Sequence, residues 1–184
     1  MLIDVNNLVP QYMNKIYNII LKGQFINENS NKNGSAQLYR IISQNEIEIK
    51  SYFQPIGYTL INRVGYFYFA RDDAGDNQFN LEKIVDYIDI VNFLKTMDSN
   101  FNVDYRLTLN SMEKELNSNI ELQDLASKMG RINSSNHRKF IEKIINKLEK
   151  SGFIEERNIS NGEYIVLKSY DYIESFFKEV EVYE

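Results

Sequence analysis

The residues that could do chemistry are few, and their spacing closes most routes to catalysis. His137 is the single histidine and cysteine is absent, so one chain cannot assemble a histidine-centred triad, a multi-histidine metal site or a thiolate zinc site. Arg71-Asp72-Asp73-Ala74-Gly75-Asp76-Asn77 clusters three carboxylates, which invites a calcium reading. With Asp72 as the first loop position, the third is Ala74 and the sixth is Asn77, where the calcium loop needs Gly. Gly65 and Gly75 belong to neither GxxxxGK[ST] nor GxGxxG. No catalytic, cofactor-binding or metal-binding residue is therefore assigned, no cofactor is expected, and the chain does not read as an enzyme.

What remains is a row of cations. Lys139, Lys143, Lys147 and Lys150 fall on one side of a helical segment. Between Leu122 and Lys168 nine Lys and Arg face six Asp and Glu, a local +3, while the rest of the chain has 12 against 20. A locally positive face suits phosphate. With the row, Arg131, Asn136, His137 and Arg138 are the DNA-contact candidates. The competing reading is a solvated lysine face, with His137 an exposed residue at a helix start.

The elements that must position this row read in order as helix, turn, longer helix and two-stranded wing. Leu122, Leu125, Ala126 and Met129 recur at helical spacing up to Gly130. Asn133, Ser134, Ser135 and Asn136 offer N-cap side chains for a second helix, whose Phe140, Ile141, Ile144, Ile145 and Leu148 share a face and which closes at Gly152. Residues 153–159 and 163–168 read as strands around Ser160-Asn161-Gly162, whose Asn-Gly pair is a hairpin signal. That order is a winged helix-turn-helix.

Upstream, Pro10 suits a first helical turn, and Tyr12, Met13, Ile16, Tyr17, Ile19, Ile20 and Leu21 predict a core helix ending at Gly23. Asn27 to Gly34 reads as a polar loop without a packing residue, with Ser35 placed to cap the next helix. Leu38, Ile41 and Ile42 predict one short helix, and Ile47, Ile49, Tyr52, Phe53 and Ile56 another ending at Pro55 or Gly57. Residues 58–62 and 66–70 then predict a hairpin turning at Arg63-Val64-Gly65, its Tyr66-Phe67-Tyr68-Phe69 run buried on both faces.

The expected fold class is mostly α with small β-hairpins (α+β): tandem winged-helix domains at 1–78 and 101–184, joined by a linking helix over 79–100. That helix has two apolar stripes: Leu81, Ile84, Val85, Ile88 and Val91, then Tyr87, Ile90, Phe93, Leu94 and Met97. Two stripes imply cover from a second domain, a partner chain or one large core. Leu107, Leu109, Met112, Leu116 and Ile120 predict the next helix, and Tyr172, Ile173, Phe176, Phe177 and Val180 the last. Tyr87, Ile90, Leu94, Tyr172, Phe176 and Phe177 are the protein-interface candidates, with self-association the expected use and packing of the last helix onto its own domain the competing reading.

An apolar fraction of 43% suffices for a core, and the pI of 5.1 argues against nucleic acid wrapping the whole surface. No apolar run approaches the roughly 20 residues that span a bilayer, and the N-terminus, with Asp4 and no basic lead-in, lacks the form of a secretory signal. A cytoplasmic protein without membrane contact is expected.

Two winged-helix units, an acidic balance and the Gly65-Tyr66-Phe67-Tyr68-Phe69 strand before a long apolar helix resemble the bacterial condensin accessory subunits of the MukE and MksE type. The small subunit of Wadjet plasmid-defence complexes is similar. The resemblance covers nearly the whole chain and rests on element order, so it assigns no binding residue. It implies a non-enzymatic, nucleoid-associated homodimer that grips the kleisin closing an SMC ATPase ring, in chromosome organisation or plasmid defence. The alternative is a stand-alone transcription regulator, which needs two recognition helices about 34 Å apart on a palindrome. Direct DNA contact is expected to be weak and non-specific.

Overall fold

The computed structural model describes residues 10–71, 81–130 and 136–181, with side chains described for 12–71, 86–130 and 136–175. Among these residues the fold is α+β, with helices predominating over two small antiparallel sheets. The chain divides into two compact units, residues 1–80 and 81–184.

The first unit runs α1 (Pro10–Leu21), β1 (Ile26–Asn27), α2 (Ser35–Gln44), α3 (Glu46–Phe53), β2 (Tyr58–Arg63) and β3 (Tyr66–Arg71). Its core joins Ile16 and Ile20 of α1, Leu38 and Ile42 of α2, Ile49 and Phe53 of α3, and Leu60, Phe67 and Phe69 of the hairpin. The spacing of these apolar residues is what makes the helices amphipathic. The β2–β3 hairpin pairs Arg63 with Tyr66 across a two-residue turn. Gly65 there has φ +83°, a conformation a Cβ would strain. Tyr66, Phe67 and Phe69 are buried and Tyr68 half-buried, so the aromatic strand is covered on both faces.

The expected polar loop at 27–34 is corrected at its start. Asn27 is buried and, with Ile26, forms β1 against Tyr66 and Phe67. The Asn27 N–H donates to Ser35 Oγ at 2.8 Å, and that hydroxyl donates back to the Asn27 carbonyl at 3.2 Å. Ser35 therefore secures β1 instead of capping a helix. A two-residue strand has no period to read.

The second unit runs α4 (Leu81–Met97), β4 (Arg106–Thr108), α5 (Leu109–Ser118), α6 (Ile120–Gly130), α7 (His137–Lys150), β5 (Ile154–Asn158), β6 (Glu163–Val166) and α8 (Tyr170–Glu181). Leu107 was expected in a helix and lies in β4. Thr108 explains this: its Oγ1 accepts from the Ser111 N–H at 3.1 Å while Ser111 Oγ accepts from the Thr108 N–H at 3.2 Å. This capping box starts α5 at Leu109. Ile120 opens α6 instead of closing α5, because Asn119 is extended and its Oδ1 accepts from the Leu122 N–H at 3.3 Å.

The units share a connectivity: helix, strand, helices, hairpin. In each, the first strand pairs with the second hairpin strand, giving orders β1-β3-β2 and β4-β6-β5. The second unit adds one helix before the hairpin and α8 after it.

The turn from α4 to β4 is held by Tyr105, whose hydroxyl donates to Asp98 Oδ2 at 2.6 Å. That bond, with the Asn100 N–H, holds the Asp98 carboxyl below the usual range, while burial and Asp98 push the Tyr105 hydroxyl up to about 12. The folded state favours the Asp98 carboxylate, so the bond adds stability above the unfolded carboxyl's titration near pH 4 and loses it as pH falls through the lower folded value. Tyr105→Phe should cost about 1 kcal/mol at pH 7. Urea midpoints should show the gap to the parent protein narrowing near pH 3.

Candidate functional site

The site is built on α7. Phe140, Ile141, Ile144, Ile145 and Leu148 are buried, which leaves Lys139, Lys143 and Lys150 exposed on the opposite side. Lys147 is half-buried and engaged with α4: its Nζ lies 2.6 Å from Asp86 Oδ2 and 4.9 Å from the centre of the Tyr87 ring. The basic row faces an acidic one. Asp86 and Asp89 of α4 and Lys139, Lys143 and Lys147 of α7 line one groove of about 440 Å³. Met129 and Gly130 also line it, and the buried Ile90, Phe140 and Ile144 form its base.

The α4 helix holds its position through apolar contacts within this unit. Tyr87, Ile90, Val91, Phe93 and Leu94 are all 5% exposed or less, covered by α5, α6 and α8. Phe93 meets Phe140 of α7 edge-on at 5.3 Å, Tyr87 meets Phe153 at 5.4 Å, and the Tyr87 hydroxyl bonds the Ser151 hydroxyl. The expectation that Tyr87, Ile90 and Leu94 face a partner is therefore corrected. At 100° per residue they join Val91 and Phe93 in one broad face, buried inside the unit. Tyr172 is half-buried on α8, while the side chains of Phe176 and Phe177 lie outside the described residues.

Other DNA-contact candidates are also committed within the fold. His137, expected exposed, is 7% exposed, with Nδ1 2.7 Å from Asn117 Oδ1. The cause is the first turn of α7 packing over α5. Arg138 donates to Asn110 Oδ1 at 2.7 Å and to Glu113 and Glu142 at 3.2 Å each. It ties α5 to α7. Asn136 is exposed beside the groove, and Arg131 lies outside the described residues, as does the Asp72–Asn77 segment of the calcium reading. Among the described residues no group of three or more His, Asp or Glu side chains could hold a metal ion, and no helix is long and apolar enough to cross a membrane.

The arrangement offers two lysines, Lys139 and Lys143, without an ion pair to another described residue, beside carboxylates of like sign to phosphate. Asp86 and Asp89 are the site residues the sequence reading missed. Their signal is an acidic pair three residues apart on the polar side of an apolar helix.

Asn117→Ala should leave buried His137 without its partner and lower stability by about 1–3 kcal/mol. A urea titration measures this, and DNA affinity should stay unchanged because neither residue borders the lysine row.

The family model described as condensin complex protein MksE matches residues 11–177. No curated protein gives a significant match.

Proposed function

The chain belongs to the MksE family of condensin complex proteins, and from that premise we propose that it is a non-catalytic accessory subunit binding the kleisin of an SMC-type complex. The family match marks it as a condensin-complex subunit. The observation that carries the finer reading is the groove between α4 and α7. Its base is apolar and its walls have opposite charge, a surface suited to a protein segment and poor for a polyanion.

We also propose that each unit is a winged-helix variant. The shared strand order supports this, since each hairpin follows a helical pair and is widened by a strand from before that pair. The domain proposal follows, with α4 serving the second unit. Pairing into a homodimer belongs to the same proposal. Exposed Tyr17, Leu21, Ile47, Tyr52 and Ile56 in the first unit are surfaces on which it can rest, because the Tyr87 stripe is already used. Action in chromosome organisation or plasmid defence, at the nucleoid, is the setting this implies.

Co-expression with the SMC ATPase and kleisin of the same source tests the reading. A complex retained on size exclusion is expected, and a chain that elutes apart from both would overturn it.

DNA contact should be weak. With Lys147 and Arg138 paired, few phosphates can be neutralised, so binding in the micromolar to sub-millimolar range typical of non-specific contact is expected, falling with salt. Lys139→Glu with Lys143→Glu should remove it with the melting temperature unchanged. Filter binding at two salt concentrations checks this. A nanomolar preference for one duplex sequence would favour a transcription regulator instead.

A further inference from the structure

The α4–α7 groove closes at one rung and stays open at the next. The helices pass antiparallel, since Asp86 meets Lys147 at one end and Phe93 meets Phe140 towards the other. The Asp86–Lys147 pair bridges the walls at 2.6 Å. One turn along, Asp89 and Lys143 line the same groove, yet neither has an ion pair or hydrogen bond to another described residue. Lys139, a further turn along, is exposed and likewise has no such bond to another described residue. Opposite charges face each other across an apolar base without touching.

We propose that this gap receives an amphipathic helical segment of a partner protein. It carries carboxylates four residues apart towards Lys139 and Lys143, a cation towards Asp89, and aliphatic side chains down onto Ile90, Phe140 and Ile144. Three features argue for it. Lys139 and Lys143 lie about 6 Å apart along the α7 axis, the rise between positions i and i+4 of an opposing helix. The volume of about 440 Å³ falls within the size of binding clefts. Duplex DNA has no cation to answer Asp89, and its phosphates on the lysines would sit beside two carboxylates. The proposal deepens the kleisin reading and rests on it only for which protein supplies the segment.

The test uses the full chain and two labelled helical peptides of about 20 residues, long enough to hold a helix in water. One has leucine anchors, a Glu pair on one edge and Lys on the other; the second has the signs exchanged. Fluorescence anisotropy should show the parent preferring the first peptide by about tenfold, or about 1.4 kcal/mol. The variant Lys139→Glu/Lys143→Glu/Asp89→Lys should reverse that preference, with circular dichroism and melting unchanged. No binding, no discrimination, or a variant that loses only duplex DNA would overturn the proposal. Overlapping peptides of the kleisin subunit separate the two ideas. If one binds parent and variant equally, the groove proposal falls and the kleisin reading stands. If none binds while the designed pair shows the reversal, the groove stands and the kleisin reading falls.

Discussion

The burial of one face of α4 against the helices of the second unit is the contact on which the rest of this unit depends. Tyr87, Ile90, Val91, Phe93 and Leu94 are nearly solvent-free. Burying each such side chain contributes roughly 1.5–3 kcal/mol against leaving it in water. The aromatic contacts of Phe93 with Phe140 and of Tyr87 with Phe153 add specificity of geometry. Once that face is down, the polar side of α4 has one direction left to point. Asp86 and Asp89 stand beside the lysines of α7, and the groove exists.

This placement changes what the lysine row can do. On an isolated helix, Lys139, Lys143 and Lys147 would form a phosphate-binding stripe. Here Lys147 is held by Asp86 and the Tyr87 ring, and Arg138 is held by Glu113, Glu142 and Asn110. Exposed pairs of this kind contribute little to stability, about 0–1 kcal/mol each. Their effect on recognition is larger, because they lower the positive potential that would attract a polyanion. The result is a surface with both signs, complementary in charge to a partner that also carries both.

Polar side chains do the joining where strands are too short to specify themselves. Ser35 satisfies both backbone groups of Asn27 and so fixes β1. Thr108 and Ser111 cap each other's turn and so divide β4 from α5. Each device sets where an element stops, which in turn sets the sheet orders β1-β3-β2 and β4-β6-β5.

The residues alone determined the amphipathic helices, both hairpins and the basic side of α7, because each is written in a local period or a turn pair. Phe140 to Leu148, Tyr66 to Phe69 and Asn161-Gly162 are legible in that way. The fate of α4 was not. Its apolar residues cover a wide arc, and a wide arc reads equally as a domain junction, a partner surface or a core. Nor were β1 and β4, at two and three residues, long enough to show alternation. Only the tertiary structure decided that His137 is buried against Asn117 and that Asp86 and Asp89 face Lys147 and Lys143. The His137–Asn117 and Asp86–Lys147 contacts join residues 20 and 61 positions apart, and Asp89 and Lys143 are brought to one groove without touching; no local period reaches so far, and the packing of apolar faces chooses the neighbour.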